Sequence, residues 1–263
     1  MSYRNSVIAM MAVVLAAWVS VTSASVKVRE IQFTQGDKPI QGILAWDDAI
    51  KARRPGVLVV HGGFGYTNRV REQAGRLAES GYVGFAFDMY EEGKVDTHGE
   101  HAGAMMRALN QNPALIEAKF NAALQELKRD PHVDPGKISA IGYCWGGGVV
   151  LDMARKGADL GAVVAFHGVL DTRTPAQKGS VKARVLVLSG DEDTFAKPDT
   201  VEALRREMQS AGANFKIVLY PGVKHAFTQP YAQQLKSDNL KYDPEIDRQS
   251  WAELLKLLSE VYR

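Results

Sequence analysis

Residues 137–148, "KISAIGYCWGGG", join an apolar run typical of a buried strand to a glycine-rich segment that opens a helix. Cys144, the single cysteine of the 263-residue chain, lies between the two, with glycines at positions 142 and 146. A sharp strand-to-helix turn of this kind lifts one side chain above the sheet and requires small neighbours. The helix predicted from about residue 147 to 156 would point its N-terminus at the thiol and favour the thiolate. The stretch therefore predicts an α/β fold with a candidate nucleophile at Cys144.

The same alternation of strand and helix patterns continues along the chain. Continuous apolar runs such as "PGVLVVHGG" and "YVGFAFD" predict strands covered on both faces. Apolar residues at helical spacing predict helices over 68–80, 113–129, 199–211 and 244–262. This order indicates an α/β architecture, a mostly parallel sheet of about eight strands with helices on both faces. The first two strands are expected to pair as a hairpin.

Residues 25–263 contain no Pro/Gly/Ser-rich linker, so we predict a single domain. Residues 88–112 are the only long stretch without a clear period. They follow the carboxyl end of a predicted strand, where ligands bind in such sheets, and we interpret them as a partial lid. The formal net charge of +2 is spread along the sequence. It lacks the basic footprint of a nucleic-acid binder, so no nucleic-acid partner is expected.

Residues 1–24 form a segment of a different kind. "MSYRN" offers one arginine and no acid, "SVIAMMAVVLAAWVSV" is apolar, and "TSAS" supplies small residues. This is the order of a secretory signal, with cleavage expected after Ala24, and an uncleaved anchor is the alternative. We therefore expect a periplasmic or secreted protein that is free of the membrane after signal removal. A lone thiol in an exported chain is either reactive or buried and inert.

A nucleophilic thiol needs a base, and two histidines follow Cys144 in the sequence. His225 stands in a loop just after the predicted strand "FKIVLY", whereas His167 closes the strand "GAVVAFHG". In doubly wound hydrolases the order along the chain is nucleophile, acid, histidine, which favours His225. A hydrogen-bonded structural histidine is the alternative interpretation of either residue.

The orienting acid is expected in "LSGDEDTFAKP", directly after the strand "RVLVL". Asp191, Glu192 and Asp193 all lie in this stretch. The spacing from the glycine and the proline that follows favour Asp193, with Asp191 as the second choice. Either aspartate could instead cap the helix that begins near residue 199.

Two backbone N–H groups are candidates for an oxyanion hole. One belongs to Trp145, the residue after the nucleophile, and the other to Gly63, in the loop after the strand "GVLVV". Glycine lets a backbone approach a substrate closely, although the glycines of this loop could simply form its turn. Each such donor typically contributes roughly 3 kcal/mol to lowering the barrier.

Other chemistry-bearing patterns are weaker. His98, Glu100 and His101 could suggest a metal site, but a polar loop explains them more simply, and no second cluster completes a tetrahedral set. "HGGFG" lacks the spacing and lysine of a phosphate loop, and no G-x-G-x-x-G opens a helix. We expect neither a metal nor a cofactor.

These motifs together resemble the dienelactone hydrolase family of α/β-hydrolases. "GYCWGGG", "SGDEDTFAKP" and "KHAF" carry the resemblance in this order, and "ESGYVGFAFDMYEEGK", "VVAFHGVLDT" and "DRQSW" add to it, over about residues 38–260. The resemblance implies a triad of Cys144, His225 and Asp193. It also implies hydrolysis of a small ester or lactone without metal or cofactor.

Three positions depart from the family pattern. Many members carry a glutamate directly after the residue that matches His61, and Gly62 stands there in this chain. The enzymes named for dienelactone hold the substrate carboxylate with arginines, and the matching positions here are Glu92 and Gln229. Neither pairs with a carboxylate as arginine does, so dienelactone is not the expected substrate.

We therefore predict a thiol hydrolase whose partner is a small ester or lactone. The alternative is a hydrolase-like fold with a binding role and little turnover, which the three departures favour. A further alternative is a redox role in which the thiol cycles through sulfenic acid. The lack of a second, resolving cysteine weighs against it.

Overall fold

The computed structural model describes residues 25–90 and 100–263. Its centre is one eight-stranded sheet with the order β1-β2-β4-β3-β5-β6-β7-β8. The strands are β1 (Val26–Gln35), β2 (Lys38–Asp47), β3 (Arg54–Val60), β4 (Val83–Phe87), β5 (Val133–Tyr143), β6 (Ala162–Phe166), β7 (Arg184–Gly190) and β8 (Phe215–Tyr220). β1 and β2 form an antiparallel hairpin at one edge, β2 pairs antiparallel with β4, and all later pairs are parallel. The predicted eight-stranded, mostly parallel sheet and its hairpin are confirmed.

Helices cover both faces of the sheet because the central strands are apolar on both sides. In β3, Val57 and Val59 pack on one face with α1 and α6, while Leu58 and Val60 pack on the other with α3, α4 and α5. Full burial of each such side chain contributes about 1.5–3 kcal/mol. The helices are α1 (Asn68–Glu79), α2 (Glu100–Asn110), α3 (Pro113–Arg129), α4 (Trp145–Arg155), α5 (Pro198–Ala211) and α6 (Pro244–Val261), with a 3₁₀ helix at Pro230–Leu235.

Helix α4 begins at Trp145, two residues earlier than predicted. The sequence favoured a later start because glycine weakens a helix interior. Three glycines nevertheless lie in its first turn, because their neighbours leave no room for side chains. A Cβ at Gly147 would lie 2.7 Å from the Cα of Gly168, and one at Gly146 would collide with the carbonyl oxygen of His61. The glycines therefore allow the helix to start immediately after Cys144, against the adjoining loops.

Helix α2 corrects the interpretation of residues 88–112 as a stretch without periodic structure. Residues 100–110 are helical, and Leu109 is buried against the core. Alanine, methionine and leucine have high helix propensity, so the composition of residues 100–110 favours a helix, although the longer stretch has no clear period. Residues 91–99, which include Glu92 and His98, lie outside the described residues, as does the predicted signal segment at 1–24. Within the described ranges, no helix is both long and apolar enough to cross a bilayer.

Candidate active site

Cys144 lies in the turn between β5 and α4, at the carboxyl edge of the sheet. Its backbone adopts φ 54° and ψ −118°, a left-handed conformation that costs a non-glycine residue of order 1–3 kcal/mol. Hydrogen bonds hold this turn in place: the Cys144 N–H donates to Phe166 at 3.0 Å, and the Cys144 carbonyl accepts from Gly147 at 3.0 Å and from Val169 at 3.1 Å. Residue Cys144 is partly exposed. The geometry is that of a nucleophile elbow, with the side chain lifted above the sheet.

His225 and Asp193 meet beside this thiol. Asp193 follows β7 and His225 follows β8, and both side chains are almost fully buried. The His225 Nδ1 lies 2.8 Å from Oδ2 of Asp193, whose Oδ1 accepts a hydrogen bond from the Phe195 N–H, also at 2.8 Å. The second ring nitrogen, Nε2, has no partner of standard hydrogen-bond geometry among the described residues. Its polar neighbour is the sulfur of Cys144, which interacts strongly with the imidazole.

The competing candidates have other partners. Asp191 is exposed, and its carboxylate accepts a hydrogen bond from the Gly222 N–H at 2.7 Å, while Glu192 is exposed as well. Neither aspartate of this loop caps α5, whose N-cap residue is Lys197. His167 is fully buried, and its Nε2 lies 2.8 Å from the hydroxyl of Thr228. Of the candidate acids and bases, the structure therefore joins Asp193 and His225 by a hydrogen bond.

Cys144 and His225 shift each other's pKa, because each stabilises the charged form of the other. Burial alone would raise the pKa of Cys144, but the positive charge of His225, together with the backbone N–H groups of Gly63 and Trp145, lowers the pKa below its ordinary value. Burial alone would lower the pKa of His225, but the Cys144 charge and the hydrogen bond that Nδ1–H donates to Asp193 raise the pKa to about 10. Near neutral pH His225 is therefore protonated, and its positive charge favours the thiolate form of Cys144.

The backbone N–H groups of Gly63 and Trp145 act on the same thiol. Both N–H groups lower the pKa of the Cys144 thiol, and they are therefore candidates to stabilise the negatively charged oxygen that develops after attack on a carbonyl. The neighbouring Gly62 also borders the nucleophile, since a Cβ there would lie 3.2 Å from the Cβ of Cys144. Position 62 is therefore next to the thiol, and in this chain it carries no carboxylate.

Aromatic and thioether side chains surround the charged centre. The Phe195 ring lies 4.7 Å from the His225 ring and is half exposed. Phe64 and Tyr231 pack edge to face at 5.4 Å. A Cβ at Gly63 would lie 3.6 Å from the Met106 sulfur, which places α2 beside the oxyanion donor.

Sequence reasoning did not identify these neighbours as parts of the site. Phe195 is two residues from Asp193. A single aromatic residue in a loop has no sequence signal that marks it as part of an active site, so it could be recognised only once the fold was known. His61 gave a weak signal as a polar residue that ends an apolar strand. Gln229, the position that matches a family arginine, is buried directly before the 3₁₀ helix that carries Tyr231.

Metal-ligating residues do not converge in the described part of the chain. No group of three or more His, Cys, Asp or Glu side chains there could hold an ion. Of the three residues that suggested a metal site in the sequence, His101 lies in α2 and is exposed, and His98 is outside the described residues. The polar side chains that do meet at this edge of the sheet are the thiol of Cys144, the imidazole of His225 and the carboxylate of Asp193.

A thiol, a carboxylate and an imidazole that follow β5, β7 and β8 on a mostly parallel sheet define an α/β-hydrolase. The sequence model of the dienelactone hydrolase family matches residues 40–262. The chain belongs to the dienelactone hydrolase family, and it is an ester or lactone hydrolase of that type.

Individual proteins agree with the family model. A solved structure named m3DLH is 34% identical, with a TM-score of 0.87 over 91% of this chain and 100% of its own. The crystal structure of P91, a dienelactone hydrolase-like promiscuous phosphotriesterase from metagenomic libraries, is 30% identical, with a TM-score of 0.85 over 90% of this chain and 98% of its own. The protein usf of Aquifex pyrophilus is 28% identical over 226 residues, which cover 84% of this chain and 93% of its own.

Proposed function

We propose that this hydrolase cleaves a small, uncharged ester or lactone through a covalent thioester on Cys144. The thiolate attacks the carbonyl carbon, and the resulting oxyanion accepts hydrogen bonds from the Gly63 and Trp145 N–H groups. The carbon–oxygen bond to the leaving group then breaks, and His225 transfers its Nε2 proton to the departing alkoxide. The product of this half-reaction is an acyl-thioester and a neutral His225.

Water completes the cycle in this proposal. Neutral His225 removes a proton from a water molecule as the water oxygen attacks the thioester carbonyl. The carbon–sulfur bond breaks, the carboxylic acid leaves, and the thiolate–imidazolium pair is restored. Asp193 keeps the Nδ1 proton in place and stabilises the positive charge on the ring throughout. No metal or cofactor takes part in any step.

One observation carries the proposal. The buried contact of 2.8 Å between Asp193 and His225 lies beside the partly exposed residue Cys144, whose pKa is lowered, chiefly by the charge of His225 against the opposing effect of burial. A structural cysteine in an apolar core would have its pKa raised instead. The combination of access and thiolate character favours a nucleophile over an inert residue.

The surroundings of the thiol favour a substrate without a carboxylate. Phe195, Tyr231 and Met106 supply apolar surface beside the reacting groups. Gln229 cannot form the bidentate ion pair of an arginine. Aryl and short-chain alkyl esters, and lactones of similar size, therefore fit the proposal better than dienelactone. Because P91 is named a promiscuous phosphotriesterase, an aryl phosphotriester belongs in the substrate panel as well.

Export is a second part of the proposal. The charge and apolar pattern of residues 1–24 supports a signal that is removed after Ala24, and the destination would be the periplasm or the medium. Expression with the native N-terminus, followed by mass determination of the exported chain, tests this proposal. A mature protein that begins at Ser25 is the expected result, and a full-length, membrane-retained chain would contradict it.

The mechanism is tested by Cys144→Ala and Cys144→Ser, assayed beside the parent on the ester, lactone and phosphotriester panel. We expect Cys144→Ala to lose hydrolysis by at least about 10³-fold, since the covalent route needs the sulfur. The serine variant keeps a weak nucleophile of similar size and controls for packing. Mass spectrometry of a quenched reaction should show an acyl adduct on the parent. Equal turnover in parent and alanine variant would exclude this mechanism. A parent that binds the panel without turning it over would support the binding alternative.

A further inference from the structure

His61 is buried directly behind the oxyanion loop and takes no part in the proposed chemistry. It follows β3, has no exposed surface, and packs against the rings of Tyr90 at 4.6 Å and Trp145 at 5.8 Å. A fully buried imidazole next to an active site is costly unless both ring nitrogens are satisfied. Its two hydrogen bonds therefore indicate what the residue does.

These hydrogen bonds fix the tautomer of the ring. The Nε2 atom lies 2.9 Å from the Met89 backbone nitrogen. That nitrogen can only donate, so Nε2 accepts and carries no proton. Nδ1 then carries the proton of the neutral ring, and it lies 2.8 Å from the carbonyl oxygen of Gly62. The His61 Nδ1–H therefore donates to the Gly62 carbonyl.

The Gly62 carbonyl belongs to the same peptide group as the Gly63 N–H. A trans peptide is planar, and its C=O and N–H bonds point in opposite directions. No described peptide bond is cis. A donor that holds the Gly62 oxygen on one side therefore sets the direction of the Gly63 N–H on the other. This peptide borders the nucleophile, since a Cβ at Gly62 would lie 3.2 Å from the Cβ of Cys144, and the Gly63 N–H lowers the pKa of the thiol. The Gly65 N–H also donates to the Gly62 oxygen, at 3.0 Å, and shares this role.

We propose that His61 is a positioning residue that aims the Gly63 N–H at the Cys144 sulfur and at the oxyanion of the reaction. The role toward the oxyanion rests on the proposed function, whereas the role toward the Cys144 sulfur does not. In this proposal His61 acts through the peptide between residues 62 and 63, and its ring also packs against that of Trp145.

Two amide substitutions separate the two hydrogen bonds of the ring. In His61→Asn the side-chain amide reaches the position of Nδ1 and can still donate to Gly62. In His61→Gln it reaches the position of Nε2 and can accept from Met89, but the donor to Gly62 is lost. We expect His61→Gln to lower kcat and kcat/KM equally, by about tenfold, because the Gly65 N–H still holds the carbonyl and the full loss of one oxyanion donor costs about 10²–10³. His61→Asn should stay within about threefold of the parent.

A second readout needs no substrate. The Gly63 N–H also stabilises the thiolate, so His61→Gln should shift the pH profile of Cys144 alkylation by iodoacetamide to higher pH, and His61→Asn should not. Both measurements are made on protein whose thermal unfolding shows it to be folded. Parent-like behaviour of His61→Gln in both readouts, or equal losses in the two variants, would overturn the proposal. If the parent hydrolyses nothing in the panel, the alkylation profile still decides the positioning role.

The tautomer itself is measurable in the parent protein. Nitrogen-15 NMR of selectively labelled histidine, assigned by comparison with a His61 variant, should show Nδ1 protonated and Nε2 bare at neutral pH. A ring protonated at Nε2 would overturn the proposal even if neither variant folds. This result would leave the role of Cys144 untouched, so the two proposals fail separately.

Discussion

The loops after β6 and β8 each place a buried histidine at the carboxyl edge of the sheet, with opposite results. The rings of His167 and His225 are 4.9 Å apart. Burial, and then the charge of His225, lowers the pKa of His167 well below its ordinary value. Burial acts on His225 in the same direction, but the Cys144 thiolate and Asp193 raise the pKa of His225 to about 10. Equal burial therefore gives a neutral ring beside a hydroxyl and a charged ring between two anions.

The difference shows that the partners of a buried histidine decide its role. Thr228 offers a neutral hydroxyl that hydrogen-bonds the His167 ring without stabilising a positive charge. Asp193 offers a full negative charge and fixes the tautomer at the same time. His167 then contributes packing against Phe227, with the two rings 5.0 Å apart, and His225 carries a transferable proton. Three predictions test this contrast.

The largest effect is expected for the two histidines themselves. His225→Gln should lower kcat/KM for a cleaved ester by about 10³-fold, since the amide can neither transfer the proton nor carry charge. His167→Gln should lower the melting temperature through the lost packing and leave kcat/KM of the folded enzyme within about threefold. Steady-state kinetics and thermal unfolding of both variants provide the test. Comparable losses of activity in two folded variants would remove the distinction between the rings.

A smaller effect is expected for the acids of the β7 loop. Asp193→Asn should lower kcat/KM by about 10²-fold, because a neutral amide no longer stabilises the imidazolium or fixes its tautomer. Asp191→Asn changes only an exposed contact with Gly222 and serves as the matched control, with an expected change of less than about twofold. Both variants are assayed on the same ester. If Asp191→Asn were the more impaired variant, the assignment of the acid would be wrong.

The pH dependence gives the smallest effect. The lowered pKa of Cys144 keeps the thiolate at pH values where a free thiol is protonated. The alkylation rate should rise as pH passes through that lowered value and then stay level, and His225 loses its proton only near pH 10. At pH 7, alkylation should be about tenfold faster than in His225→Gln, where the profile moves toward the ordinary thiol range. Overlapping profiles would show that the imidazole does not stabilise the thiolate.

Much of the fold was predictable because its signals are local. Apolar runs of strand length and helical spacing of apolar residues gave the strands and five of the helices. Helix α2 was missed because it lies within the longer polar stretch 88–112, which as a whole has no common period. The first residue of α4 was predicted two positions too late. Its glycines were interpreted as part of a turn, whereas in the structure they lie in the helix and allow neighbouring backbone to pack closely against it.

The candidate site, like the fold, could be predicted only where its signals are local. The positions of Cys144, Asp193 and His225 after strands were visible in the sequence, and the fold alone brings such positions to one edge. The contact between Phe195 and His225 joins two loops 30 residues apart, and the hydrogen bond from Met89 to His61 spans 28 residues. Neither has a local signal, because each depends on which loops become neighbours. Tautomers and pKa shifts depend on those contacts and so could not be predicted earlier.

The wide spacing of the site along the chain has a consequence for how activity is acquired. Cys144 precedes β6, whereas Asp193 and His225 follow β7 and β8, strands that join the sheet one after another toward its far edge. A chain folded only as far as β6 would expose a thiol with no base or acid beside it. Hydrolytic competence should thus arise only once β7 and β8 have docked, in whatever order the rest of the chain folds. Its recovery would report the completion of that edge rather than the formation of the sheet.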